Sequence, residues 1–158
     1  MGAKSFTVSH THLKPDPVYQ SLVIAKFINC LMHSGKKATA QRVFYGALEL
    51  VAQRVKEAKP NEVFETAINN VKPNLETRSR RVGGQNYQVP MAVGQQRQQS
   101  LAIRWLIEAA RTKKGKPMVE RLAEEIVAAS KREGAAMQTR ENMHKMAEAN
   151  RAFAHFAW

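Results

Sequence analysis

The spacing of apolar residues constrains this chain more than any other feature of its sequence. Apolar side chains recur three and four positions apart through most of the chain, a spacing that gathers them on one face of an α-helix. The second such segment is the clearest, with Ala40, Val43, Phe44, Ala47, Leu48, Val51 and Val55. Because glycine, proline and short polar runs separate the periodic segments, we predict about six helices.

Residue preferences at helix ends place several boundaries. Asp16 can accept from free backbone amides and Pro17 suits a first helical position, so the first helix is predicted to begin there. Pro73 closes the third helix, and Gly134 is predicted to end the fifth. The last helix is then expected from about Thr139 onward.

The period changes from helical to alternating once, after Pro73. Uncharged and charged residues alternate over 75–80, and the pair Gly83–Gly84 follows. Alternation on both sides of a double glycine is typical of a β-hairpin. We therefore predict a hairpin at about 74–90, with its return strand ended by Pro90.

Together these patterns predict a mainly α fold: a single domain of about six helices in a bundle, with one protruding β-hairpin between helices three and four. Because Ile103 and Ile107 lie on a second apolar face of the fourth helix, we expect that helix to be central. Residues 1–13 show neither period and are interpreted as a flexible N-terminal tail, and 14–158 form the helical domain.

The charge balance limits the partners of the chain. Lys and Arg number 25 against 13 acidic residues, which gives a formal net charge of +12. Such an excess favours a polyanionic partner: nucleic acid, an anionic membrane or an acidic protein. No apolar run approaches the roughly 20 residues that span a bilayer, and Lys26 interrupts the longest early stretch, so no membrane partner is expected.

No residue set points to catalysis, a metal or a cofactor, and we predict that the chain is not an enzyme. His10 and His12 lack neighbouring thiols or carboxylates that would complete a metal site. Glu124 and Glu125 point about 100° apart on a helix, which does not suit a paired acid and base, and we interpret both as solvated charges. The lone Cys30 is predicted to be a buried small apolar residue.

The cations are clustered where folding alone does not require them. Arg78, Arg80 and Arg81 lie on the predicted hairpin, where they could reach an RNA, although positive charge also protects edge strands from aggregation. Lys36 and Lys37 lie at a helix start, where the helix dipole disfavours cations, so a phosphate contact is the better explanation.

A further basic run follows the fourth helix, and here two readings stay open. Arg111, Lys113, Lys114 and Lys116 could contact RNA, or they could stabilise the helix C-terminus, whose dipole favours cations. Tyr87 likewise could stack on an unpaired base or cover the core face of the hairpin. The residues alone thus indicate a helical RNA-binding protein that uses shape and phosphate contacts.

Three strings in the sequence are more specific: RSRRVGGQNYQVP (78–90), LAIRWLIEAAR (101–111) and HKMAEANRAFAHFAW (144–158). They resemble the ribosomal protein seven family of the small subunit, and the similarity extends from about Pro15 to the end of the chain. The resemblance implies a helical bundle with a β-hairpin and no cofactor. It implies a structural protein of the ribosome, expected in the cytoplasm with an organellar ribosome as the alternative.

The same resemblance implies partners. Members of this family bind the 3′ major domain of the small-subunit ribosomal RNA (rRNA) directly and early, and so nucleate assembly of the subunit head. Their hairpin and C-terminal helix lie near the exit-site transfer RNA (tRNA) and the messenger RNA (mRNA) path, and small-subunit proteins nine and eleven are their neighbours. The chain is therefore expected to act in translation.

Candidate contact residues follow from the motifs and the basic clusters. The candidates for rRNA binding are Lys36, Lys37, Arg78, Arg80, Arg81, Arg97, Arg104, Arg111, Lys113, Lys114, Lys116 and Met118. The candidates near tRNA and mRNA are Val82, Gly83, Gly84, Gln85, Asn86, Tyr87 and Lys145. A DNA-binding regulator is the rival reading, which a sequence-specific footprint on duplex DNA would favour.

Overall fold

A computed structural model describes residues 13–56 and 58–157. The described residues form six α-helices, one hairpin and a C-terminal 3₁₀ helix, which confirms the predicted mainly α fold with a hairpin between helices three and four. The elements are α1 (Leu22–Leu31), α2 (Lys37–Arg54), α3 (Pro60–Val71), β1 (Leu75–Val82), β2 (Gln85–Ala92), α4 (Gln95–Thr112), α5 (Met118–Ser130), α6 (Ala135–Ala149) and the 3₁₀ helix (Arg151–Phe156). The predicted tail at 1–13 lies outside the described residues, apart from its last position.

The chain divides into two units, Met1–Arg42 and Val43–Trp158, and α2 runs through the boundary. The predicted single domain at 14–158 therefore stays a prediction. Within the described ranges, no helix is both long and apolar enough to cross a membrane.

The first helix begins later than its sequence suggested. Asp16 is 2% exposed, and its carboxylate accepts the backbone N–H groups of Val18 and Tyr19, at 3.2 and 3.1 Å. These bonds close a tight turn, after which Gln20 adopts a positive φ of 54° that a helix cannot contain. The predicted start at Pro17 was therefore wrong, and α1 starts at Leu22.

The buried face of α1 corrects a second prediction. Ile24, Phe27 and Ile28 are at most 1% exposed, whereas Cys30 is exposed. Two helical positions correspond to about 200° of rotation, so Cys30 lies on the opposite side of the helix from Ile28. The interpretation of Cys30 as a buried apolar residue was wrong.

In the second unit, α4 contacts α3, α5 and α6. Its residues Ile103, Leu106 and Ile107 are at most 5% exposed, so the helix is buried on more than one face. The prediction that α4 is central is confirmed.

The core of the second unit also contains an aromatic pair. Phe44 and Phe64, both without exposed surface, meet edge to face with ring centroids 5.2 Å apart.

The hairpin is longer than predicted. Gly83 and Gly84, with φ values of 57° and 87°, form the two-residue turn that joins β1 to β2. Pro90 does not end the return strand but pairs with Thr77 inside it, and β2 continues to Ala92. A two-stranded sheet tolerates this proline because each strand has a free edge that needs no backbone donor.

Ring packing and hydrogen bonds hold the hairpin to the C-terminal part of the chain. The Tyr87 ring lies 5.0 Å from the Phe153 ring and 5.5 Å from the Phe156 ring in the 3₁₀ helix. The Thr77 hydroxyl donates to Sδ of Met146 at 3.3 Å. At the base of the hairpin, the backbone N–H of Asn74 donates to Nε2 of His144, at 3.1 Å. The strands therefore lie along α6 and the 3₁₀ helix, and residues 83–86 at the tip are exposed.

The corner between α5 and α6 also differs from the prediction. Helix α5 ends at Ser130, and Gly134 is the residue before α6 rather than the end of α5. After the last turn of α5, Arg132 adopts a positive φ of 63°, which ends the helix before Gly134 is reached. At the same corner Glu125, which has no exposed surface, accepts the backbone N–H of Ala136 at 2.9 Å, in the first turn of α6. Glu125 satisfies an otherwise free amide there, so its interpretation as a solvated charge was wrong.

Candidate nucleic-acid interface

The tip of the hairpin presents the predicted tRNA-proximal segment to solvent. Residues 83–86 are exposed, and Val82 and Tyr87 on either side are half-buried. Arg81 is exposed opposite Asn86, and Arg80 pairs in register with Tyr87. The tip thus has backbone and short polar groups at its end and cations directly behind it.

A buried carboxylate lies among the arginines at the base of this hairpin. Glu76 on β1 is 5% exposed, and its carboxylate accepts the Nε–H of Arg78 at 2.7 Å and that of Arg97 at 2.6 Å. Arg97 belongs to the first turn of α4, so the contact joins the hairpin to the helix. Two predicted rRNA candidates, 19 positions apart in the sequence, are thereby brought to one point. Sequence reasoning missed Glu76, although it is the single acidic residue of β1.

Helix α4 carries a stripe of arginines on its exposed side. Arg97, Arg104 and Arg111 are all exposed and follow one another at intervals of seven residues. Seven residues are almost exactly two helical turns, so the three side chains emerge along one line about 21 Å long. We call this set the α4 arginine stripe. Its heptad spacing was visible in the sequence but was not used in the prediction.

The basic run after α4 is largely paired with acidic residues of α5. Lys113 Nζ lies 2.8 Å from Oε2 of the buried Glu125. Lys116 donates a hydrogen bond to the Glu124 carboxylate, and this bond holds the pKa of Glu124 below its ordinary value. Lys114 is exposed. Lys113 and Lys116 therefore have structural partners on α5, a role that differs from the predicted stabilisation of the helix C-terminus, and their predicted RNA contacts stay predictions.

Arg121 on α5 has a role that the sequence did not indicate. Its guanidinium donates to the backbone carbonyls of Arg111 and Lys113, which belong to the last turn of α4 and the position after it. The arginine therefore caps carbonyl groups that have no partner inside the helix.

The remaining predicted contact residues lie outside the hairpin and α4 in the sequence. Lys36 and Lys37 are exposed at the start of α2, directly after a turn in which Ser34 and Gly35 both have positive φ. Met118 is the half-buried first residue of α5, and Lys145 is exposed on α6. Their contacts with RNA stay predictions.

The surroundings of Tyr87 support the interpretation that its ring covers the hairpin rather than stacking on an RNA base. The ring packs against Phe153 and Phe156, and the hydroxyl donates to the side-chain oxygen of Gln85 at 3.0 Å. The side chain thus covers the hairpin and fastens it to the 3₁₀ helix.

Among residues 13–56 and 58–157, no group of three or more His, Cys, Asp or Glu side chains is placed to hold a metal ion.

The fold and this surface define a class: a basic, mainly helical protein with arginines exposed on a helix and a β-hairpin. Comparison with known proteins narrows the class. Residues 3–151 match the model of the family described as Ribosomal protein S7p/S5e. The chain belongs to this family, the uS7 proteins of the small ribosomal subunit.

Individual relatives agree with the family match. The chain is 60% identical over 153 residues to small ribosomal subunit protein uS7 of Rhodopirellula baltica, covering 96% of this chain and 98% of the relative. It is 56% identical over 144 residues to uS7 of Nitratiruptor sp., covering 91% and 92% of the two chains. It is 55% identical over 144 residues to uS7 of Thermotoga petrophila, again covering 91% and 92%.

Membership of this family gives the chain its general function. It is a structural, non-enzymatic constituent of the small ribosomal subunit, it takes part in translation, and its ribonucleoprotein context makes the small-subunit rRNA its partner. The relatives are of bacterial type. The predicted family and the predicted absence of enzymatic activity are confirmed.

Proposed function

We propose that this chain binds the 3′ major domain of the small-subunit rRNA directly and nucleates assembly of the subunit head. The observation that carries the proposal is the continuity between the Glu76 contact and the α4 arginine stripe. Arg78 and Arg97 meet at the hairpin base, and Arg104 and Arg111 extend the same row of cations along the helix. The row lies on two rigid elements rather than on a loop.

Rigid placement matters because a flexible polycation neutralises phosphates without selecting a site. Contacts with the RNA backbone fix register and orientation, and a folded RNA is recognised through its shape. Cations spaced along a helix match only those RNA surfaces whose phosphates follow the same line. The row of arginines therefore supports specific binding to a folded rRNA domain.

The hairpin tip is proposed to lie near the exit-site tRNA and the mRNA path, and small-subunit proteins nine and eleven are the proposed protein neighbours. Exposure of residues 83–86 supports the first part, because an exposed turn flanked by Arg81 can approach a tRNA backbone. The ribosome that contains the chain is proposed to be cytoplasmic.

The stripe can be tested with Arg104→Gln in the full-length protein. Arg104 is exposed among buried neighbours, so the substitution removes a charge without disturbing the core. We expect several-fold weaker binding to a transcript of the 3′ major domain and a salt slope lower by about 0.7. The matched control is Lys131→Gln, which removes an exposed charge at the end of α5. Equal affinities of the two variants would contradict a phosphate contact on the α4 stripe.

A further inference from the structure

We infer that Glu76 is a positioning residue that holds Arg78 and Arg97 as a two-arginine site for an RNA phosphate. The inference rests on the proposed rRNA binding and assigns part of that function to an acidic side chain. An acid in an RNA-binding surface is unexpected, since its charge opposes that of the ligand. Its burial and its two partners explain its presence.

The geometry leaves the outer part of both guanidinium groups available. Glu76 is contacted through Nε of Arg78 and Nε of Arg97, and both arginine side chains are 49% exposed. In the part of the chain that the structure describes, no hydrogen bond joins a terminal nitrogen of either guanidinium to another protein atom. Because a guanidinium has five N–H donors and Nε supplies one, the four terminal donors of each arginine remain for a ligand.

The charges also favour an anion at this point. Glu76 is 5% exposed and its carboxylate bonds to both arginines, so the carboxylate is shielded from a ligand that approaches from solvent. Two cations and one anion leave a local excess of one positive charge. Planar guanidinium groups pair well with phosphate oxygens.

The carboxylate contributes by ordering its partners before RNA arrives. A free arginine side chain has many rotamers, and fixing them at an interface lowers affinity. Two hydrogen bonds to one buried acceptor restrict both side chains in advance. A purely structural link between β1 and α4 would involve the same bonds. The positioning role and the structural role must therefore be distinguished by their effect on RNA binding.

The sign of the effect on RNA affinity distinguishes a positioning role of Glu76 from a purely structural role. Glu76→Gln removes one of the 13 acidic residues and raises the net charge by one, so long-range electrostatics alone predicts tighter binding to RNA. A positioning role predicts the opposite. We expect about tenfold weaker binding to the 3′ major domain transcript, the order of effect for two arginine side chains that must be ordered during binding. The salt slope should stay unchanged, because both arginines remain.

A double-mutant cycle completes the test in the full-length protein. Arg78→Gln with Arg97→Gln should lower the salt slope by about 1.4, and adding Glu76→Gln to that pair should cause no further loss. The control Glu65→Gln removes an exposed acid on α3 and should bind as well as the wild type or slightly better. If Glu76→Gln does not fold, Glu76→Asp keeps the charge but shortens the reach to two partners, and it should bind several-fold more weakly.

Equal or tighter binding by a folded Glu76 variant would overturn the inference, as would an undiminished effect of Glu76→Gln when both arginines are absent. A wild-type protein that does not prefer the 3′ major domain over a scrambled RNA would instead overturn the proposed function. The two failures are therefore distinguishable in one set of binding curves.

Discussion

Lys113 Nζ and Glu125 Oε2 lie 2.8 Å apart, and the glutamate has no exposed surface. The other oxygen of the same carboxylate accepts the backbone N–H of Ala136. One buried side chain on α5 therefore joins the loop after α4 to the first turn of α6. The second unit depends at this corner on an ion pair whose partners are 12 residues apart in the sequence.

Removing the Lys113 ammonium group should destabilise the fold, because it leaves the buried Glu125 carboxylate without its charged partner. We expect Lys113→Met to lower the free energy of unfolding by about 1–2 kcal/mol, less than for a fully buried pair since the lysine is partly exposed. The control Lys114→Met removes an exposed charge and should change stability by less than about 0.5 kcal/mol. Urea unfolding of both variants measures the difference, and equal stabilities would contradict a structural role for Lys113.

Gly134 should not tolerate a side chain. Its φ is 96°, and a Cβ atom there would lie 2.8 Å from Oε1 of Glu125 and 3.1 Å from Cβ of Ala128. Strain and crowding together should make Gly134→Ala about 2–3 kcal/mol less stable. Gly94→Ala is the matched control, because Gly94 has a φ of −68° and a Cβ atom added there would have no atom within 4 Å. A thermal or chemical denaturation series that ranks the two variants equally would be evidence against this packing.

The aromatic contact of Tyr87 should control the order of the C-terminal 3₁₀ helix. Replacing Tyr87 with Ala removes the ring that lies against Phe153 and Phe156. A loss of about 1 kcal/mol in local stability should make amide exchange over 151–156 about fivefold faster, while the core amides of α4 keep their protection. Tyr87→Phe retains the ring contacts and should exchange as the wild type does. Unchanged exchange in the alanine variant would leave base stacking as the better explanation of this tyrosine.

His144 should make stability depend on pH. Burial and the nearby Arg140 charge lower the pKa of His144 below its ordinary 6.5, and the neutral ring accepts the N–H of Asn74. Between the lowered folded pKa and 6.5, the unfolded chain binds a proton that the folded chain does not. The contribution of His144 to stability is therefore complete above pH 6.5 and is lost as the pH falls through the folded value.

His144→Gln keeps a neutral acceptor but cannot titrate, so its stability should fall less than that of the wild type from about pH 7.5 to about pH 5.5. His33→Gln removes an exposed histidine of the first unit, retains His144 and should keep the wild-type dependence. Parallel pH curves for wild type and His144→Gln would refute the assignment.

Local sequence signals predicted most of the fold because they act within a few residues. Pro60 and Pro73 bracket α3, Gly83 and Gly84 form the hairpin turn, and the two apolar faces of α4 indicated its central position. The failure at Glu125 involves partners that local patterns do not reveal. Glu125 appeared solvated because the amide of Ala136 and the ammonium of Lys113 are supplied by other elements.

In the candidate site too, local features were predictable from the sequence and contacts between distant residues were not. The clustering of cations on the hairpin and after α4 was evident in the sequence, and the resemblance to the family added Arg97 and Arg104. The contact of Arg78 and Arg97 with one carboxylate was not predictable, because Glu76 and Arg97 are 21 positions apart and a chain reversal lies between them. Equally, the sequence could not show that Lys113 and Lys116 have acidic partners on α5.

The most direct test of the proposed function is equilibrium binding of the full-length protein to a 3′ major domain transcript and to a scrambled RNA of equal length, at several salt concentrations. With about six phosphate contacts, a fourfold rise in salt should weaken binding a few hundredfold. We predict that the preference for the cognate transcript persists at the highest salt, because shape recognition does not depend on counterion release. Equal affinities that collapse together as salt rises would contradict specific rRNA recognition and leave only a general attraction between a polycation and RNA.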